Sequence, residues 1–206
     1  MTGQVKLDSY TDAGVIVSID LVNQLTAAGG HAVPAAGDEL GALTRILAFD
    51  PPSLAALGAD DVPGFVALAR VLREVFDDLR GDDVDAAAQR LNTLLARSPA
   101  QPHLAKEEGR WRLHHHPVHA ELVAMYTAIC AEALARVVSA GDADRLGTCQ
   151  APDCGRVFAD VSKNGSRRFC TTTCQNRVKV TAFRRRRGGA GTPPAEQPLD
   201  QRRQPR

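Results

Sequence analysis

The sequence predicts a mainly α protein: a helical N-terminal domain with one small β-hairpin, then a small cysteine-rich knuckle domain that ends in a basic helix. Three observations predict it. Apolar residues recur at intervals of three and four through much of residues 15–138. Four cysteines, Cys149, Cys154, Cys170 and Cys174, fall in two short-spaced pairs. Charge divides the chain: residues 1–144 carry eleven Lys and Arg against twenty Asp and Glu, net −9, whereas residues 145–187 carry eleven against two, net +9. The domains expected are therefore 1–144, 145–187 and a tail, 188–206, whose Gly, Pro, Gln and Arg leave little to bury and predict disorder.

The first ambiguous element is VIVSIDLVNQL, residues 15–25. It fits a helical stripe through Val15, Ile19 and Val22, yet Val17, Ile19 and Leu21 also alternate as a strand would; helix is favoured. A short helix is expected from Asp38 to Leu47, stopped by Asp50, Pro51 and Pro52. Val62, Phe65, Val66, Ala69, Leu72, Val75, Phe76 and Leu79 define a long helix, with Asp61 placed to cap it and Pro63 in its first turn. After Gly81, Asp82 and Asp83, a second stripe runs from Val84 to Leu95 and ends at Ser98, Pro99 and Pro102. PHLAKEEGRWRLHHH reads as a hairpin, with strands near His103–Leu104 and Trp111–Leu113 and a turn ending at Gly109. A third helix is expected from about Pro117 to Val138, closed by Gly141; Cys130, within it, reads as core packing. With only 4% aromatic residues, this core must be aliphatic.

The cysteine spacing is C-x4-C, fifteen residues, then C-x3-C, and each pair is short enough for one turn to aim both sulfurs at a single ion. The segment around them holds few large apolar side chains, too few to offset an ordering entropy of about 1–2 kcal/mol per residue. Tetrahedral thiolate coordination can supply roughly 10 kcal/mol or more of apparent folding energy. One structural Zn2+ per chain, held by Cys149, Cys154, Cys170 and Cys174, is the expectation; two disulfides or free thiols are the alternative. The chain begins MTGQVKLDSY, without a basic and then apolar leader, and no run approaches about 18–20 apolar residues, so a cytoplasmic protein with no membrane span is expected.

No catalytic motif emerges. The sequence contains no G-x-S-x-G elbow, no phosphate-cradling G-K-[ST] loop and no G-x-G-x-x-G after a strand. His114, His115, His116 and His119 invite a second metal site, but Pro117 interrupts the run, and packed or exposed histidines at a strand end are the simpler reading. The pairs Asp60/Asp61, Asp77/Asp78 and Asp82/Asp83 read as caps and solvated faces. A nonenzymatic protein is expected.

The segment CQAPDCGRVFADVSKNGSRRFCTTTCQNRVKVTAFRRRR resembles the CGNR zinc finger family, whose presumed ligands match the four cysteines. The run that gives the family its name corresponds here to Cys174, Gln175, Asn176 and Arg177, with glutamine in place of glycine. More loosely, the first domain resembles the ABATE domain that usually precedes this finger, through Ile19-Asp20-Leu21-Val22-Asn23, the Trp111 strand, and Gly141 to Leu146. Such proteins are described as stress-induced transcription regulators, so the resemblance implies DNA binding.

A mechanism follows from the residues. TTCQNRVKVTAFRRRR lacks Gly and Pro, and Thr171, Thr172 or Thr173 is placed to cap a helix with the last two cysteines on its first turn. Val180 and Phe183 are expected to pack on the knuckle, leaving Arg177, Thr181, Arg184 and Arg185 toward phosphate or a groove. The candidate nucleic-acid contacts are Arg167, Arg168, Asn176, Arg177, Lys179, Arg184, Arg185, Arg186 and Arg187. DNA is the favoured partner and makes the protein a transcription regulator; RNA or an acidic protein surface is the alternative. A homodimer and a small-molecule effector of the first domain are left open.

Overall fold

The computed structural model describes residues 13–27, 37–98, 103–107, 109–114 and 121–188. Its helices are α1 (Ala13–Leu25), α2 (Glu39–Ile46), α3 (Pro51–Ala56), α4 (Val62–Arg80), α5 (Val84–Arg97), α6 (Leu122–Ser139) and α7 (Thr172–Gly188). Two antiparallel hairpins complete it, β1 (His103–Glu107) with β2 (Arg110–His114), and β3 (Leu146–Thr148) with β4 (Val157–Ala159). The mainly α class, the N-terminal hairpin and the terminal basic helix are as the sequence predicts.

α1 is a helix because its buried residues, Val15, Val17, Ser18, Leu21, Val22 and Leu25, recur at the helical period along one side, with Ile16 exposed, rather than alternating. It lies against α4 and α6. A glycine sets its distance from α6, since a Cβ on Gly14 would stand 2.7 Å from Ala133 Cβ and 2.9 Å from the Ile129 carbonyl oxygen. α4 presents Phe65, Leu68, Ala69, Leu72, Val75 and Phe76 to the core. Asp61 does not cap it. The Asp61 carboxylate instead accepts from the Gly58 amide at 2.9 Å, closing the 3-10 turn that precedes α4. Asp83 does cap α5, accepting from the Ala86 amide at 2.9 Å. Arg90 of α5 bridges to Asp78 at 2.5 Å and to Glu74, tying the two helices along their exposed edge.

Pro51 and Pro52 do not only stop α2. They occupy the first turn of α3, where the missing amide hydrogens cost nothing. Asp50, just ahead of them, accepts from the Ser53 hydroxyl at 2.5 Å and the Tyr126 hydroxyl at 3.1 Å, joining this corner to α6.

α6 begins at Leu122, after Glu121 in an extended conformation, rather than at Pro117; residues 115–120 lie outside the described residues, as do His115, His116 and His119. Gly141, at φ 80°, closes it. This helix has the length and mean hydropathy, 1.5, of a membrane span, although Glu132 and Arg136 interrupt its apolar run. Its position accounts for that composition: α1 and α5 pack against it, and Tyr126, Ala128, Cys130, Ala131, Ala133, Leu134 and Val137 are buried. Cys130 is core, as read from the sequence.

The hairpin β1–β2 pairs Leu104 with Leu113 and Lys106 with Trp111, and Gly109 supplies the positive φ of its turn. Leu104 and Trp111 are exposed.

The short hairpin β3–β4 is absent from the sequence reading. Leu146, Val157 and Ala159 belong to the same buried cluster as the helices, with β3 on α4 and β4 on α1. Gly147 leaves room for the Phe158 ring, which a Cβ there would meet at 2.8 Å. β3 and β4 are thus built into the helical core, while Cys149, Ala151 and Cys154, on the loop between them, form a second small cluster with Phe169, Cys170, Cys174 and Val178. Residues 189–206 lie outside the described residues, so the expected tail does too, apart from Gly188, the last residue of α7.

Candidate metal centre

The first two cysteines sit on the loop that connects β3 to β4. Cys149 follows β3 directly, and its amide donates to the Arg156 carbonyl at 2.8 Å, extending the ladder by one bond. Asp153 and Gly155, at φ 59° and 63°, fold the chain back so that Cys154 turns toward Cys149. Asp tolerates that left-handed conformation better than most residues. The Cys154 amide donates to the Ala151 carbonyl at 3.2 Å.

The other pair is placed by α7. Of the three candidate threonines, Thr171 is the cap: its hydroxyl accepts from the Cys174 amide at 3.2 Å and its carbonyl from the Gln175 amide at 3.2 Å. Only Cys174 therefore lies on the first turn of the helix. Cys170 precedes the cap, and its amide points at the Cys149 sulfur, 3.4 Å away.

Four sulfurs converge. The Sγ atoms of Cys154, Cys170 and Cys174 are 3.7 Å apart pairwise, and all four lie within 4.8 Å of one another. A tetrahedron of sulfurs around zinc at about 2.3 Å has edges of about 3.8 Å, whereas a disulfide needs about 2.05 Å. The donor set therefore fits one closed tetrahedral zinc site and no disulfide pairing. Without a cation, burial pushes the Cys154 and Cys170 thiols up, while at Cys174 the Thr171 hydroxyl and neighbouring thiols outweigh burial and bring it down. Four thiolates this close require a divalent cation among them.

Residues 145–187 match the CGNR zinc finger. No curated protein matches the chain. The structural Zn2+ of this finger is held by Cys149, Cys154, Cys170 and Cys174, with no position left for water or substrate. Glutamine replaces the family's glycine at 175 without strain, because the position is an ordinary helical one in the first turn of α7.

Around the finger the cations divide into two groups. Arg167 is structural. Its guanidinium donates to the Phe169 carbonyl at 2.9 Å, the Ala159 carbonyl at 3.3 Å and the Cys170 carbonyl, and it lies 5.0 Å above the Phe158 ring. Its amide donates to Asp160 at 2.6 Å. Arg177 is structural too, donating to the Pro152 carbonyl at 2.8 Å and so pinning α7 to the loop between the first two ligands. These two side chains tie the finger's loop and helix together, and both are exposed at its surface, where nucleic-acid contacts are expected from the sequence. Arg168, Asn176, Lys179 and Arg184 are exposed, while Arg185, Arg186 and Arg187 lie on the last turn of α7.

The facing of α7 differs from expectation as well. Val178, not Val180 or Phe183, packs on the knuckle; Val180 is 48% and Phe183 55% exposed. The helix phase is fixed by Cys174, and Val178, four residues on, shares its side.

Two groups missed by sequence reasoning fasten the finger to the helices. Asn23 of α1 donates to the Val157 carbonyl at 2.9 Å and accepts the Val157 amide at 2.9 Å. Arg73 of α4 donates to the Gly155 carbonyl at 2.8 Å, next to ligand Cys154, and to the Thr26 hydroxyl at 3.2 Å. In the sequence, Asn23 stands out only within the ABATE-like run, and Arg73 not at all. Only the docking of β4 gives them partners.

Proposed function

We propose that this protein is a transcription regulator that binds duplex DNA through its zinc finger, without enzymatic activity, in the cytoplasm. The observation that carries the reading is the segregation of charge, net +9 in residues 145–187 against −9 in residues 1–144, with the exposed cations Arg168, Lys179 and Arg184 on the finger. Zinc and four thiolates subtract two charges locally, which leaves the finger strongly cationic. The helical domain is assigned a sensing or assembly role. That role is supported by the burial of Leu146, Val157 and Ala159 in its core, since a shift of α1 or α4 would move the finger with it.

Binding of the zinc-loaded full chain to a labelled duplex, titrated across salt, tests the reading. Log affinity is expected to fall with log salt at a slope of about −0.9 for each phosphate neutralised. Duplex DNA should compete better than single-stranded RNA at matched salt. Binding that ignores salt would overturn it, and stronger competition by RNA would transfer the finger to RNA.

A further inference from the structure

The knuckle decides which side of α7 is available. Cys174 ligates, Val178 packs on the small cysteine cluster, and Arg177, Val178, Thr181 and Ala182 line a groove against Pro152 and Asp153. At about 100° per residue, the opposite side of the helix carries Asn176, Lys179, Val180 and Phe183. All four are exposed. This strip is not the one that arginine spacing selects: Arg177 and Thr181 face the knuckle, and the Thr181 hydroxyl is occupied by the Arg177 carbonyl at 2.9 Å.

We propose, resting on the DNA-binding reading above, that Asn176, Lys179, Val180 and Phe183 form the base-reading face of the finger. Its ligand is the major groove of duplex DNA at a site containing A·T pairs. The chemistry of the strip points there. A carboxamide carries a donor and an acceptor side by side, which match the N6 and N7 edge of adenine, and apolar side chains beside it match the thymine methyl group. Asn176 and Phe183 are seven residues apart, about 10.5 Å along the helix, or roughly three base-pair steps.

Charge selects the occupant of the two half-exposed apolar side chains. They stand on a helix whose neighbouring exposed positions include Lys179 and Arg184, so a second copy of the same strip would be repelled, whereas a polyanion is attracted. Val180 and Phe183 would lie against thymine methyls, with Arg168 and Arg184 toward the flanking phosphates. The deep, narrow major groove of an RNA duplex excludes this helix.

Selection from a random duplex pool by the zinc-loaded full chain, followed by replacement of thymine with deoxyuracil in the recovered sites, tests the assignment. The replacement removes only the C5 methyl. Wild type is expected to recover sites with A·T pairs and to lose about fivefold or more in affinity on the replacement. Val180→Ala and Phe183→Ala should bind more weakly and respond less to it. Asn176→Ala should relax the preference at one adenine while keeping zinc content and salt slope. Equal binding of thymine and deoxyuracil duplexes by wild type, or unchanged preference in Asn176→Ala, would overturn the assignment and leave salt-dependent DNA binding standing. Absence of any salt-dependent duplex binding would remove both. Self-association abolished by Phe183→Ala, with DNA preference intact, would give the strip to a second copy instead.

Discussion

Asn23 and Val157, 134 residues apart, form a closed pair: the Asn23 carboxamide satisfies both the amide and the carbonyl of Val157, each at 2.9 Å. A two-stranded sheet has two open edges, and Asn23 covers the outer edge of β4 as a third strand would. Val157 is 1% exposed, so water cannot replace the lost partners. Asn23→Leu should therefore lower stability by about 2 kcal/mol or more, since two buried backbone groups are stranded. Chemical denaturation of the zinc-loaded protein measures it; a change below about 0.5 kcal/mol would mean that the pair is incidental.

Removal of zinc should not unfold the whole finger. Leu146, Val157 and Ala159 stay in the helical core, and Asn23 and Arg73 keep their bonds to Val157 and Gly155. By contrast, α7 is fastened through Cys174, Val178 and the Arg177 bond to Pro152. Chelation, or Cys170→Ser, is expected to release α7 while the Val157 amide remains protected in hydrogen exchange. Simultaneous loss of protection at Val157 and throughout α7 would contradict this. Under the expected outcome the finger at 145–187 would comprise two halves, one folded by the helices and one attached by the metal.

The long helices and the metal ligands were legible because each depends on local spacing. Val62–Leu79 and Val84–Leu95 repeat at the helical period, and C-x4-C with C-x3-C names its own ligands. What failed depended on distant partners. β3 and β4 are three residues each, too short for alternation to register, and both are held by α1 and α4. Val180 and Phe183 looked like the inner face of α7 because they are its large apolar residues, but the phase of that helix is set by the Cys174 sulfur. The intramolecular contacts of Arg167 were equally invisible: its guanidinium reaches the carbonyls of neighbouring Phe169 and Cys170 and, across the loop, that of Ala159 at the end of β4.

Arg167 and Arg168 are adjacent, and the DNA-binding proposal gives them different roles. Arg167→Ala removes three carbonyl contacts and the stack on Phe158, and should weaken zinc retention against a competing chelator. Arg168→Ala should keep zinc and reduce the magnitude of the salt slope for DNA by about 0.9. Chelator competition and salt titration on both variants separate the roles. The opposite pattern, zinc loss with Arg168→Ala alone, would reverse the assignment.

Acid should loosen the same loop through Asp160. Burial favours its neutral form, but the Ser162 hydroxyl, the Ser162 and Arg167 amides at 2.8 and 2.6 Å, and the charge of Arg145 outweigh that, holding the carboxyl below its usual range. A carboxylate whose folded pKa is depressed contributes stability that is fully present above its unfolded pKa, about 3.9, and is lost as pH falls through the lower folded value. Asp160→Asn keeps the size but cannot accept both amides as an anion. It should lower stability at neutral pH by about 1–3 kcal/mol and flatten the decline below about pH 4. Stability curves of the two proteins between neutral pH and pH 3, followed by α-helical circular dichroism, should converge at the acid end. Because the thiolates also release zinc in acid, the comparison is repeated on chelated protein, where Asp160 still accepts from Ser162 within the half of the finger that the helices hold. Parallel curves in both states would show that Asp160 carries no charge-dependent stability.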